Sequence, residues 1–280
     1  SLGFKVVATS HVGLVRSGNE DAGLASQRVL AVADGMGGHA AGEVASAAVI
    51  QSLAESLSDL PSNVGDIKEW MLRNINAAHT FVGDLVAANP DRRGMGTTLT
   101  VAVAGDEGLT IGHIGDSRIY RLRNGELTQL STDHTYVEML VQSGEITEDE
   151  AAHHPRRNLL VRAIDGIHPV ELDLQVVDLQ VGDRYLLCSD GLSGLLGSPS
   201  IRDVLSAADP TFAATQLIDF TLAAGAPDNI TLVIGDVVEA PTDVEPFMVG
   251  YAASTPLEQP VQVDKRRWYR WLPLLLVPIL

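Results

Sequence analysis

The chain is poor in the residues that would place it in several common classes. It has a single cysteine, Cys188, so no internal disulfide and no thiolate zinc cluster can form. That fits a reducing compartment. Cations are scarce: 19 Lys and Arg stand against 36 Asp and Glu, for a formal net charge of −17. A nucleic-acid binder needs clustered Lys and Arg to meet the phosphate backbone, so that class is excluded. There is no internal repeat and no signal peptide, and the chain begins at Ser1 rather than at Met; a fragment is expected. Long apolar runs are missing until the very end. There "KRRWYRWLPLLLVPIL" closes residues 265–280. At about 1.5 Å per helical residue, its apolar part covers only about half of a roughly 30 Å bilayer core.

What is present supports a sizeable core. Of 280 residues, 45% are hydrophobic, enough for one large domain or two small ones. The excess of carboxylates suits solubility, or the binding of hard cations.

Strand patterns come first: "FKVVATS", "AGLAS" and "RVLAVAD" within residues 4–36. Apolar residues at helical spacing predict helices over 40–57 and 65–88, the second closed by Asn89-Pro90. Strands resume with "TTLTVAVAG", "GLTIGHIG" and "SRIYRLRNGELTQL", whose Asn124-Gly125 pair signals a hairpin. Residues 131–165 differ. A helix with Thr132 or Asp133 as N-cap and a second one opened by the capping-box pattern "TEDE" form a polar insert, here called the flap. Further strands are expected in "VELDLQVVDLQ", "DRYLLCSDG" and "NITLVIGDVV", with a helix over 211–224. Helices set between meander-like blocks, without regular βαβ alternation, favour an α+β fold with antiparallel sheets. Residues 239–264, with four prolines among acidic and small residues, are expected to be a flexible linker.

Aspartates recur where apolar runs end. Asp34 closes "VLAVAD", Asp116 follows "LTIGHIG", Asp190 follows "YLLCS", and Asp228 precedes "NITLV". Glu20 and Asp21 stand together in "RSGNED". One such Asp is ordinary turn chemistry. Four at the same kind of boundary, beside small residues that let backbone approach an ion, point to a metal site. "GMGGHA" at 35–40 also fits a dinucleotide fingerprint. The acidic residue expected about 20 positions on would be Glu55, which lies in a helix pattern rather than at a strand end.

In order, "RSGNED", "ADGMGGHAAGE", "GMGTTLT", "HIGDSR", "LLCSDGL" and "GAPDNITLV" resemble the motifs of bacterial metal-dependent PP2C-type Ser/Thr protein phosphatases. The similarity spans roughly residues 5–238. It is strongest to those that accompany membrane-anchored Ser/Thr kinases in Gram-positive bacteria. The resemblance implies a four-layer α-β-β-α sandwich: two antiparallel sheets face to face, helices outside. It also implies two Mn²⁺ or Mg²⁺ ions, with a third held more weakly. Asp34 would bridge the pair. The Gly35 carbonyl and, through water, Glu20 would serve one ion; Asp190 and Asp228 would serve the other. Asp116 with Asp190 would hold the third. Arg16 would grip the substrate phosphate. Animal members carry His directly after Asp-Gly; here that position is Met36, and His39 is the histidine left as a candidate general acid.

Two other phosphatase chemistries fail on residue identity. A cysteine phosphatase needs Arg six positions after its Cys, and position 194 is Gly. An acyl-phosphate phosphatase needs Asp-x-Asp after a strand, and no strand-end aspartate offers it. Cys188, in "YLLCS", is expected to pack between the sheets. A non-catalytic phosphoprotein-binding module is the alternative, weakened because every matched aspartate is kept. The expected organisation is a phosphatase domain over 1–238, the linker over 239–264, and a basic juxtamembrane segment opening a transmembrane helix over 265–280. Lys265, Arg266, Arg267 and Arg270 would keep the domain cytoplasmic; without a membrane span it would be soluble there. Phosphorylated Ser/Thr proteins, including Ser/Thr kinases and their substrates, are the expected partners of a monomeric enzyme.

Overall fold

Alternate residues of the central strands feed two different cores, and this sets the architecture. A computed structural model describes residues 2–37, 41–207, 209–239, 241, 244–257 and 261–262. The first elements are β1 (Leu2–His11), β2 (Asp21–Ala25), β3 (Val29–Met36), α1 (Gly42–Glu55) and α2 (Val64–Ala88). Next come β4 (Gly96–Thr97), β5 (Leu99–Gly105), β6 (Gly108–Ile114), β7 (Arg118–Arg123) and β8 (Glu126–Gln129). The flap holds α3 (Tyr136–Gln142) and α4 (Glu148–Ala152). The chain continues through β9 (Asp173–Val177), β10 (Arg184–Cys188), α5 (Asp190–Ser193), α6 (Ser198–Leu205), α7 (Pro210–Ala223) and β11 (Ile230–Glu239). It ends its described course in β12 (Phe247–Gly250) and α8 (Tyr251–Ser254).

One sheet runs β1-β11-β10-β7-β8; the other runs β12-β2-β3-β5-β6-β9, with β4 against β3. Every pairing is antiparallel. On β3, Leu30 and Val32 meet Phe4, Tyr185, Leu187 and Val233 between the sheets. Val29, Ala31 and Ala33 point the other way, onto Ala47, Ile50, Trp70 and Ile75 of α1 and α2. The period-two alternation of strands therefore builds two cores from one segment. On the far side, α6 and α7 cover the first sheet through Ile201, Leu205 and Leu217. The result is the expected α+β fold of two antiparallel sheets with helices outside. Because β3 is antiparallel to both β2 and β5, the dinucleotide alternative loses its parallel strand.

Local signals held in places and shifted in others. Asn124 and Gly125 sit at φ 52° and 81°, as a two-residue hairpin turn requires. The capping box forms at Thr147 and Glu150. The N-cap of α3 is Thr135, not Thr132 or Asp133, because the Asp133 carboxylate is taken by Arg118 at 2.7 Å. Cys188 does not lie between the sheets. Alternation from Leu187 turns it outward to Leu192, Ile201 and Leu217 under the helices. Helix α6 has no counterpart in the sequence reading.

The expected linker needs the largest correction. Within 239–264, β12 pairs with β2 from Phe247↔Ala25 to Gly250↔Ala22, and α8 follows with Ala252 buried. Pairing to an available sheet edge overrides a composition that reads as linker. Among the described residues no helix is long and apolar enough to cross a membrane. The segment expected to start a membrane span, 265–280, lies outside the described residues.

Candidate active site

The sequence-selected carboxylates converge at one end of the two sheets. Asp34 lies near the end of β3, directly opposite Asp21 on β2. Its main chain is held by the "GTT" segment. The Asp34 N–H donates to Thr98 Oγ1 at 2.9 Å, and the Asp34 carbonyl accepts from the Thr98 N–H at 2.9 Å and from Thr97 Oγ1 at 3.1 Å. Thr98 Oγ1 is also 2.7 Å from Ser117 Oγ of "GDSR". Two of the sequence motifs thus serve to fix the third.

Glycines set how closely the segments approach. A Cβ on Gly35 would stand 2.2 Å from the Gly42 carbonyl oxygen and 2.5 Å from that of Glu20. One on Gly191, next to Asp190, would stand 1.8 Å from the Asn229 carbonyl oxygen. Asn229 is the hub of this side. Its side-chain amide donates to the Val12 and Gly18 carbonyls at 2.8 and 2.9 Å, and its Oδ1 accepts the Glu20 N–H at 2.8 Å. Loop 12–20 is thereby tied to the loop carrying Asp228. Arg16 extends from that loop, half-exposed, and its Nη2 donates to Asp228 Oδ2 at 2.8 Å.

The electrostatics follow from burial and crowding. Asp34 is raised well above the usual carboxylate range by burial, then by Asp21, Asp190, Asp116 and Asp228. Burial pushes Asp116 up to about 8, with Asp190 and Asp133 adding to it. Asp21 is pushed up to about 7, again by burial first, against a hydrogen bond from Ser189 that favours the anion. Asp190 is raised by burial and by Asp228; Glu20 by burial and by Glu43. These acids feel one another strongly. Yet as placed, no three His, Cys, Asp or Glu side chains among the described residues stand at ligating distance around one point. The arrangement is an open ring of like charges rather than a closed cage. Both statements hold, since Coulomb coupling reaches beyond bonding distance.

Asp34, Gly35, Asp190, Asp228, Asp116, Glu20 and Arg16 therefore share one site. His39 lies outside the described residues. Asp21, noted in the sequence only as the neighbour of Glu20, belongs to the ring. Its Oδ2 accepts from Ser189 Oγ at 2.7 Å, while its Oδ1 is buried without a hydrogen-bond partner. The "NED" and "SDG" motifs carried that signal, but Asn229 and Thr98 act through main-chain contacts that no local pattern announces. The donor set is all oxygen, carboxylates plus a buried main-chain carbonyl. This suits Mg²⁺ or Mn²⁺ rather than a soft ion, and a bare buried carboxylate oxygen at Asp21 is what a positive charge satisfies. Beside the ring, a cleft of about 580 Å³ is lined by Asp116 and Asp190 on one side and by Glu138, Val141 and Arg157 of the flap on the other.

Comparison with known proteins places this geometry. The family model described as "Protein phosphatase 2C" matches residues 17–221. The serine/threonine protein phosphatase PstP of Mycobacterium tuberculosis is 46% identical over 239 residues, covering 85% of this chain and 46% of PstP. The chain thus spans about half the length of that relative. The serine/threonine phosphatase stp of Listeria welshimeri is 36% identical over 230 residues, 79% of this chain and 91% of its own. Among solved structures, M. tuberculosis PstP/Ppp superimposes with a TM-score of 0.80 at 45% identity, covering 84% of this chain and 98% of that one. The PstP catalytic domain in complex with two manganese ions gives 0.77 at 44%, covering 85% and 100%. By motif, fold and site, the chain belongs to the protein phosphatase 2C family.

Proposed function

We propose that the chain hydrolyses phosphoserine and phosphothreonine in proteins at a binuclear Mn²⁺ or Mg²⁺ centre. The observation that carries this is the convergence of Asp21, Asp34, Asp116, Asp190 and Asp228, with Arg16 on Asp228 and with Asp116 and Asp190 lining the cleft. Asp34 would bridge the two ions. The Gly35 carbonyl and Glu20 would complete one side, Asp190 and Asp228 the other, and Asp116 with Asp190 a weaker third site. Bound there, the cations supply a water acidified towards neutral pH and a clamp for phosphoryl oxygens.

The chain's own groups do the rest. Among the described residues Arg16 is tethered by one hydrogen bond, to a half-exposed carboxylate, so its guanidinium can turn onto a phosphate dianion, whose oxygen geometry its fork matches. The Asn229 clasp holds the loop that bears Arg16 against Asp228, fixing the distance between phosphate grip and carboxylates. The flap bounds the cleft where the peptide around the phosphorylated residue would lie. The leaving Ser or Thr oxygen needs a proton, and His39 is the histidine proposed to deliver it. Cys188 takes no part: burial pushes its thiol up to about 12, so no thiolate nucleophile forms at neutral pH.

The natural substrates are proposed to be kinase-phosphorylated proteins. Residues 265–280 are proposed to tether the domain to the cytoplasmic face of a membrane, on the strength of the basic cluster ahead of the apolar run. Mn²⁺-dependent release of phosphate from a phosphothreonine peptide tests the activity. A protein that binds the peptide but shows no metal-dependent turnover would instead be a binding module. Recovery of the full-length protein wholly in the soluble fraction would overturn the tether.

A further inference from the structure

Residues 247–257 were expected to be linker, yet they are fitted to the site by four separate features. The first two are glycines. Gly23 of β2 presents a flat surface on which Val249 lies; a Cβ there would be 2.9 Å from Val249 Cγ2. Gly250, at φ 72°, sits so close to the site strand that a Cβ would be 2.3 Å from the Asp21 carbonyl oxygen. Third, β12 is the edge strand, so it supplies the partners for one side of β2, every residue of which is buried. Fourth, the Gln51 side chain of α1 clasps the segment that follows. Its Nε2 donates to the Ala252 and Thr255 carbonyls at 3.2 and 3.1 Å, and its Oε1 accepts the Leu257 N–H at 3.4 Å. Ala252 is buried, and Met248, Tyr251 and Leu257 pack on the same core.

The strand being clamped is the one that opens with Asp21. That residue faces Asp34 in register and carries the ring's unpartnered buried oxygen. Gly250 therefore touches the main chain of a site carboxylate.

We infer that residues 247–257 are a positioning strap, whose docking on β2 sets Asp21 and with it the cation affinity of the carboxylate ring. The inference rests on the reading of that ring as a metal centre. Linkage makes the coupling reciprocal: a docked strap favours cation binding, and a bound cation favours docking. The strap leads within a few residues to the basic and apolar segment 265–280, so engagement of that segment by another surface would act on the site through β12. Strand addition suits such a role, because an edge strand and the side chains it carries can open as a local unit at less cost than the whole fold.

The test uses the full chain with Gly250→Ala, which places a methyl group against the Asp21 carbonyl. Calorimetric titration with Mn²⁺ should show a dissociation constant about five- to tenfold weaker than wild type. Hydrogen exchange of the metal-free protein should quicken at Ala22, Gly23 and Leu24. Leu205→Ala on α6, a core truncation on the far face, should lower the melting temperature but leave the Mn²⁺ constant unchanged. If Gly250→Ala does not fold, Gln51→Ala releases the clasp and should weaken Mn²⁺ in the same direction. Wild-type Mn²⁺ binding with an unaltered constant in the folded strap variant would overturn the strap alone. Absence of Mn²⁺ binding in wild type would overturn the metal-centre reading itself, and the strap inference with it.

Discussion

The two ends of the carboxylate ring are held by different means. Around Asp34, Asp190 and Asp228 the main chain is packed tightly at Gly35, Gly191 and Gly13, where no Cβ would fit, and is fastened there by buried Thr97, Thr98 and Asn229 side chains. Around Asp116 there is also one close approach, where a Cβ on Gly115 would stand 2.5 Å from Thr98 Cβ, but the hold there is extended by a relay from the flap. The His134 N–H donates to the Gly115 carbonyl at 2.7 Å, and the Gly115 N–H donates back to His134 Nδ1 at 3.1 Å. His134 Nε2 then meets Asp173 Oδ2 at 2.9 Å, and Asp173 Oδ1 accepts from Arg162 Nη1 at 2.7 Å. Arg162 and Asp173 are both partly exposed. Packed backbone has nowhere to go, whereas a relay ending in solvent-facing groups adjusts at little cost. One end of the site should behave as fixed geometry and the other as adjustable geometry.

The largest effect should come from the fixed end. Asp34→Asn removes a carboxylate that is held up by burial and by four neighbouring aspartates, and metal-dependent turnover should fall by at least about a hundredfold, the upper range for merely outer-shell changes. Asp116→Asn, at the adjustable end, should cost less. Parallel Mn²⁺ titrations of the two variants measure the difference. Equal losses would remove the distinction between the ends.

Next in size is Gly191→Ala. The added Cβ would lie 1.8 Å from the Asn229 carbonyl oxygen, so α5 and the segment before β11 must part, destabilising the fold by about 3 kcal/mol or more. Arg162→Ala opens the relay at its exposed end and should cost no more than about 1 kcal/mol. Chemical denaturation of both variants reads this contrast. A Gly191→Ala protein as stable as Arg162→Ala would show that the close approach is not fixed.

The metal-free ring should leave its mark on pH dependence. Asp21 and Asp116 ordinarily titrate at 3.8, but in the fold they stand at about 7 and about 8. Between these limits the unfolded chain has released its protons while the folded chain keeps them. Stability therefore falls as pH rises from about 4 to about 8. Chelated protein should melt at a lower temperature at pH 8 than at pH 5.5, and excess Mn²⁺ should close the gap because it binds only the folded ring. A melting temperature that climbs with pH in chelator would contradict the crowding of these acids.

What the sequence disclosed follows the same division. Asp34, Gly35 and Asp190 were legible because each sits in a short motif whose glycine reports close backbone approach, and Asp228 because it stands where an apolar strand begins. Strands such as β3 were legible from apolar runs, and the α+β class from their order. Asn229 was not, because its role lies in hydrogen bonds to Val12, Gly18 and Glu20, more than 200 positions away. The His134 relay was equally hidden, its Asp173 partner lying 39 positions on. Strand β12 failed for a different reason. Four residues between prolines carry too little period to mark a strand; only the waiting edge of β2 makes them one.

The smallest effect on turnover should fall just outside the ring, two residues from Asp190. Cys188 is fully buried and faces Leu192, Ile201 and Leu217 rather than the cleft. Its neighbour in the chain, Ser189, turns the other way and donates to Asp21. The extended backbone thus separates an inert packing position from the site within a single step at the end of β10. Cys188→Ser keeps nearly the same shape but sets a hydroxyl among apolar side chains, at a cost of about 1–3 kcal/mol. Metal-dependent turnover at a temperature well below melting should stay at the wild-type level, since no charge, donor or backbone contact of the ring changes. Matched melting curves and initial rates with p-nitrophenyl phosphate settle the matter. A folded Cys188→Ser protein with lost turnover would mean that the helix-facing side of β10 reaches the site after all.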